Sequence, residues 1–165
     1  LDQNLEKVLV EKYPIIFKEY GGDIRKTCMG WGLSCGDGWF NLVYKLCNDI
    51  MQVIGTRNID ITALQVKEKF GGLRFYYSMQ VENTILSKID RLFYKVMVSL
   101  RLGRKYWVIT NFRRKFIQTT DEKISSLINK AESDSYTICE NCGKPGRVRE
   151  GGWIRTLCDE CDKED

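Results

Sequence analysis

Apolar residues at helical spacing, one alternating stretch centred on paired glycines and two late Cys-x-x-Cys pairs predict an α+β fold. Helices pack on a small antiparallel β-hairpin or sheet, and a C-terminal zinc ribbon follows. At 165 residues, with 43% hydrophobic and 12% aromatic content, the chain has enough apolar mass for one core. The expected organisation is an α+β domain over 1–134, with a basic helical stretch within 81–119, and a zinc-ribbon module over 135–165.

Leu5, Val8 and Leu9, then Ile15, Ile16 and Phe17, predict a first helix that breaks near Pro14 and closes at Gly21-Gly22. A glycine-rich loop runs from Cys28 to Gly38. Asp37 is read as the N-cap of the strongest helix, whose apolar stripe is Trp39, Leu42, Val43, Leu46, Cys47, Ile50, Met51 and Ile54, with Gly55 ending it. Cys47 on that stripe is expected to be a buried thiol acting as a small hydrophobe.

Residues 61–80 are read as a hairpin turning at Gly71-Gly72, pairing Phe70 with Leu73, Lys69 with Arg74, Glu68 with Phe75 and Lys67 with Tyr76. One face then carries Leu64, Val66, Phe70, Leu73, Phe75, Tyr77 and Met79. The other carries Gln65, Lys67, Lys69, Arg74, Tyr76 and Ser78. Glu68 falls on the apolar side and needs either a rim position or a partner. A second long helix is expected over 81–102 with Ile85, Ile89, Leu92, Phe93, Val96 and Leu100 inward. Tyr106–Thr110 suits a short strand, and Thr119-Thr-Asp-Glu122 matches a capping box opening another helix.

Cys139-x2-Cys142, fifteen residues, then Cys158-x2-Cys161 is the spacing of two metal knuckles around a pair of short strands. Four thiolates close a tetrahedron and leave no open position, so one structural Zn²⁺ is the expected cofactor. It would lower the formal charge of +4 to about +2. Cys28 and Cys35 lack third and fourth ligands for a second metal. An odd total of seven cysteines, with no secretion signal at the start of the sequence, argues against a disulfide framework.

The sequence contains no histidine. That excludes Ser-His-Asp and Cys-His nucleophile pairs, HExxH hydrolysis and the usual zinc deaminase site. The Gly30–Gly38 loop lacks the lysine and the glycine order of phosphate-binding loops, and an acid at its helix start would repel phosphate. Among enzymes there remains a metal-dependent nuclease using Asp49 or Asp60 with Gln65 and Lys67, although Gln is a poor substitute for a carboxylate ligand. No run is apolar enough to span a membrane, which points to the cytosol.

Two surfaces suit polyanions. Lys67, Lys69, Arg74 and Tyr76 combine cations with a stacking ring, as a nucleotide or single strand requires, although a solvated sheet face often carries the same residues. Arg113, Arg114 and Lys115 end a segment from Lys88 to Lys115 holding nine basic residues against Asp90 alone.

Three segments carry a resemblance: Gly30-Trp-Gly-Leu-Ser-Cys-Gly-Asp-Gly-Trp39, Val66-Lys-Glu-Lys-Phe-Gly-Gly-Leu-Arg-Phe-Tyr76, and Cys139-x2-Cys-Gly-Lys-Pro-Gly with Gly151-Gly-Trp-Ile-Arg-Thr-Leu-Cys158. Together they resemble a family of small uncharacterised bacteriophage and prophage proteins, and relative to that pattern residues 81–119 read as a basic helical insertion. The resemblance implies an accessory protein in the host cytosol, often directed against host defences. The leading expectation is a non-enzymatic zinc-binding protein that binds nucleic acid or a nucleotide. One alternative is a counter-defence sponge for a nucleotide messenger, with Trp31, Trp39 and Tyr76 lining its pocket. Another is an inhibitor that binds a host protein through the Ile85–Leu100 stripe.

Overall fold

The computed structural model describes residues 1–55, 59–81 and 103–163, with backbone alone at 81, 103–114 and 116. Over these residues the fold mixes helix and sheet, as the sequence predicts. Helix α1 (Gln3–Lys12) starts at Asp2, whose carboxylate accepts the Asn4 N–H at 2.8 Å. It stops before Pro14, and tight turns then carry Ile16 and Phe17 into the core. Helix α2 (Phe40–Ile54) buries Val43, Leu46, Cys47, Ile50 and Ile54, and Gly55 ends it at φ 53°. Asp37 does not cap it. A 3₁₀ turn over Asp37–Trp39 leads into the helix, and the Asp37 carboxylate instead accepts the Asp2 N–H at 2.6 Å.

Strands β1 (Ile59–Lys69) and β2 (Gly72–Val81) form the hairpin, with the turn one residue earlier and the pairing two residues away from the expected register. The turn is Phe70-Gly71, both at positive φ (54° and 73°), and the pairs are Lys69 with Gly72, Glu68 with Leu73 and Lys67 with Arg74. Packing explains the slip. A side chain on Gly72 would lie 2.5 Å from the Tyr136 ring, so Gly72 is needed as the strand residue beneath that ring. A bulge at Leu64, between Ala63 and Gln65, then shifts the inward set from Ile59, Ile61 and Ala63 to Val66. Glu68 has a partner: its Oε1 accepts the Gly71 N–H at 2.6 Å.

Helix α3 (Gly103–Ser135) is continuous. The strand expected at Tyr106–Thr110 and the helix start at Thr119 are both absorbed into it. The Thr119 hydroxyl bonds back to the Lys115 carbonyl at 2.8 Å rather than capping a new helix. Ile124, Ile128 and Ala131 form its buried stripe against α2 and β2. The helix expected over 81–102, with its Ile85–Leu100 stripe, lies outside the described residues.

Both edges of the hairpin are occupied near the turn. Along β1, Ser34 adds a parallel bridge, donating to Val66 O and accepting from Glu68 N. Along β2, the Leu73 N–H donates to the Ser135 hydroxyl at 2.9 Å and the Phe75 N–H to the Glu132 carboxylate at 3.0 Å.

Beyond α3, strands β3 (Arg147–Arg149) and β4 (Arg155–Leu157) make a short antiparallel ribbon. It is joined to the rest by buried polar contacts. The Trp39 indole N–H donates to Ile138 O at 2.8 Å, the Gly38 N–H to Glu140 O at 2.7 Å, and the Thr156 hydroxyl to Gly71 O at 2.6 Å. No helix among the described residues is long and apolar enough to cross a membrane.

Candidate metal centre and hairpin cleft

Each Cys-x-x-Cys pair sits in a tight turn at the open end of the ribbon. Gly143, at φ 75°, bends the chain after Cys142, and its N–H donates to Cys139 O at 2.9 Å. The Cys161 N–H points at Cys158 Sγ, 3.4 Å away. All four sulfurs lie within 4.8 Å of one another, and Cys142 Sγ is 3.6 Å from Cys158 Sγ. Four sulfurs bound at about 2.3 Å to one zinc would be separated by about 3.8 Å, so the cluster has the size of a tetrathiolate cage and is too wide for disulfides.

Four thiols this close cannot all ionise without a cation between them. The Cys139 thiol is drawn down to about 7, where burial opposes ionisation but amide N–H groups of Cys158, Cys142 and Asn141 outweigh it. Cys161 is pushed up by the neighbouring sulfurs of Cys158 and Cys142. These four cysteines are positioned to hold one metal ion. Among the described residues they form the single such group of metal-ligating side chains.

The remaining cysteines stand apart from it. Cys47 is fully buried on α2, and burial raises its pKa. Burial also pushes the Cys35 thiol up to about 12, while Cys28 is exposed. A thiol so raised is a poor nucleophile at neutral pH.

The hairpin's polar face holds Lys67, Lys69, Arg74 and Tyr76 together, but not in equal roles. Arg74 turns inward: its guanidinium donates to Leu73 O at 2.7 Å and to the Tyr136 hydroxyl at 2.8 Å, with Glu132 4.0 Å away. Lys67 Nζ lies 5.7 Å from the centre of the Tyr76 ring, and Lys69 Nζ lies 5.2 Å from that of Phe70. Neither lysine has an acidic partner among the described ion pairs. In the ribbon, by contrast, Lys144, Arg147, Arg149 and Arg155 all face carboxylates of Glu160, Asp159, Asp162 or Glu140.

A cleft of about 410 Å³ opens between the hairpin turn and the β3–β4 loop, lined by Lys67, Glu68, Lys69, Phe70, Trp153 and Ile154. Phe70 is 65% exposed and Trp153 74% exposed. Phe70, expected on the apolar face, is instead exposed at the turn, and Trp153, outside the expected binding residues, joins it. The missed signal was local: an aromatic beside a two-residue turn, or after Gly151-Gly152 in a ribbon loop, has little to pack against.

The other candidate positions scatter. Trp39 is fully buried in the core, so it cannot line a nucleotide pocket with the exposed Trp31. Asp49 pairs with Lys45 at 2.6 Å, and Asp60 pairs with Lys18. Lys115 is exposed on α3, whereas the side chains of Arg113 and Arg114 lie outside the described residues. No family model, no curated protein and no solved structure matches the chain.

Proposed function

We propose that this chain is a non-enzymatic zinc-binding protein, of the bacteriophage-accessory kind its motifs resemble, that binds nucleic acid or a nucleotide through the hairpin's basic and aromatic face. The observation that carries the metal reading is the convergence of four thiol sulfurs within 4.8 Å on two short turns. Cys139, Cys142, Cys158 and Cys161 would be the ligands. Zinc would neutralise their charge and cross-link the ribbon, and four sulfur donors would leave no coordination site for a reacting water. The ligand-binding reading is supported by two lysines that have no acidic partner among the described residues and lie beside exposed rings, the combination that phosphates and bases call for.

Protein purified under reducing conditions should contain one zinc per chain by elemental analysis. It should also bind labelled oligonucleotides with an affinity that falls steeply as salt rises. Absence of stoichiometric metal would remove the first part. Binding that is absent, or indifferent to salt, would remove the second.

A further inference from the structure

We infer that the cleft between the Phe70-Gly71 turn and the Trp153 loop holds a single-stranded nucleic acid. In this arrangement Phe70 and Trp153 stack on bases, and Lys67 and Lys69 contact phosphates. The inference rests on the nucleic-acid reading above and gives it a specific site.

Three observations converge on it. The first is strain without packing. Phe70 is a bulky residue at φ 54°, a conformation that two-residue turns normally give to Asn, Asp or Gly. Its ring is 65% exposed, so burial does not offset that backbone cost. A strained, solvent-facing aromatic at a turn tip is the kind of outlier that function retains.

The second is convergence of distant segments. Trp153 enters the same cleft from the ribbon, more than eighty residues along the chain, and it too is largely exposed. The two loops are held face to face by the bond from the Thr156 hydroxyl to Gly71 O. Because that bond is buried, the spacing of the cleft's walls is built into the fold.

The third is charge. Lys67 and Lys69 lie two residues apart on one face of β1, about 7 Å by the rise of a strand, which is close to one nucleotide step in an extended chain. Among the described residues lining the cleft the one acid is Glu68, and its Oε1 is committed to the Gly71 N–H. Tyr76, on the neighbouring strand β2, lies beside Lys67 as Phe70 lies beside Lys69, so each lysine has a ring next to it. An open cleft flanked by two lysine–ring pairs matches a continuous strand better than an enclosed small molecule.

The test measures binding of fluorescent single-stranded DNA and RNA of mixed sequence, a duplex, a mononucleotide and a cyclic dinucleotide to the zinc-loaded chain. Variants are Trp153→Ala, Trp153→Phe, Phe70→Asn and the pair Lys67→Glu with Lys69→Glu, each checked for metal content and melting temperature. Phe70→Asn suits the turn and should leave the fold intact or firmer.

The inference expects single strands to bind and Trp153→Ala and Phe70→Asn to weaken them about tenfold, with Trp153→Phe largely restoring affinity. Charge reversal should flatten the salt dependence by roughly one unit of slope or more. Single strands that bind equally well to Trp153→Ala and Phe70→Asn would overturn this site while leaving nucleic-acid binding intact. Tighter binding of duplex or of a small nucleotide would overturn the single-strand assignment. No binding of any probe would overturn both the site and the reading beneath it.

Discussion

Single side chains decide whether the loops of this fold can hold still. Glu6 is buried on α1, and its carboxylate accepts the Tyr20 hydroxyl at 2.6 Å and the Leu33 N–H at 2.8 Å. It thereby ties two irregular segments to one helix. Tyr20→Phe removes one of those donors from a charged acceptor and should lower stability by about 1–2 kcal/mol, measured by chemical denaturation at pH 7. The Tyr20 pKa is pushed up to about 12, first by its bond to Glu6 and then by burial. Between about pH 10 and 12 the folded state therefore holds a proton that the unfolded state has lost, so stability falls as pH rises through that window. Tyr20→Phe should remove this part of the alkaline decline, and an unchanged slope would contradict the assignment.

At the scale of elements, the hairpin is a two-stranded sheet that would be marginal alone and is sustained by what covers its edges. The Ser135 hydroxyl accepts from Leu73 N and donates to Glu132 O at 2.6 Å, closing the edge where α3 ends. Ser135→Ala leaves the buried Leu73 N–H without that partner, an expected cost of about 1–3 kcal/mol. Hydrogen exchange should show faster exchange at Leu73 than at inner-ladder amides such as Arg74.

Elements whose signal is local were legible beforehand. Helix α2 carries its periodicity and its terminal glycine in adjacent residues, and the cysteine spacing encodes the knuckles directly. The hairpin register was not legible, because two adjacent glycines allow two turns and the choice depends on Tyr136, more than sixty residues away. Helix α3 was misread for a related reason. Tyr106–Thr110 has strand-like composition and Thr119 resembles a cap, but helical context overrides such local preferences.

At the scale of the molecule, the α+β part and the ribbon share an interface made largely of backbone. A methyl group on Gly38 would lie 2.2 Å from Cys139 O and 2.3 Å from Gly143 N, both backbone atoms, so neither segment has room to yield. Gly38→Ala should cost about 1–3 kcal/mol and also weaken metal retention in a chelator competition, because it pushes directly on the first knuckle. For the proposed zinc-loaded chain, a strong chelator should lower the melting temperature by roughly 10 °C or more, since the metal's cross-link would disappear while the crowded thiols remain. This interface was the least legible feature of all. The cysteine spacing gave the cage, but Gly36, Gly38 and Trp39 looked like an isolated loop because their partners are about a hundred residues further on.

That interleaving changes what counts as a portable part. Anyone grafting the four-cysteine segment onto another scaffold would leave behind the glycine strip that accommodates its backbone and the indole that caps Ile138. Evolutionary exchange faces the same constraint, so the unit that can be inherited intact is a discontinuous pair of segments rather than the C-terminal stretch alone.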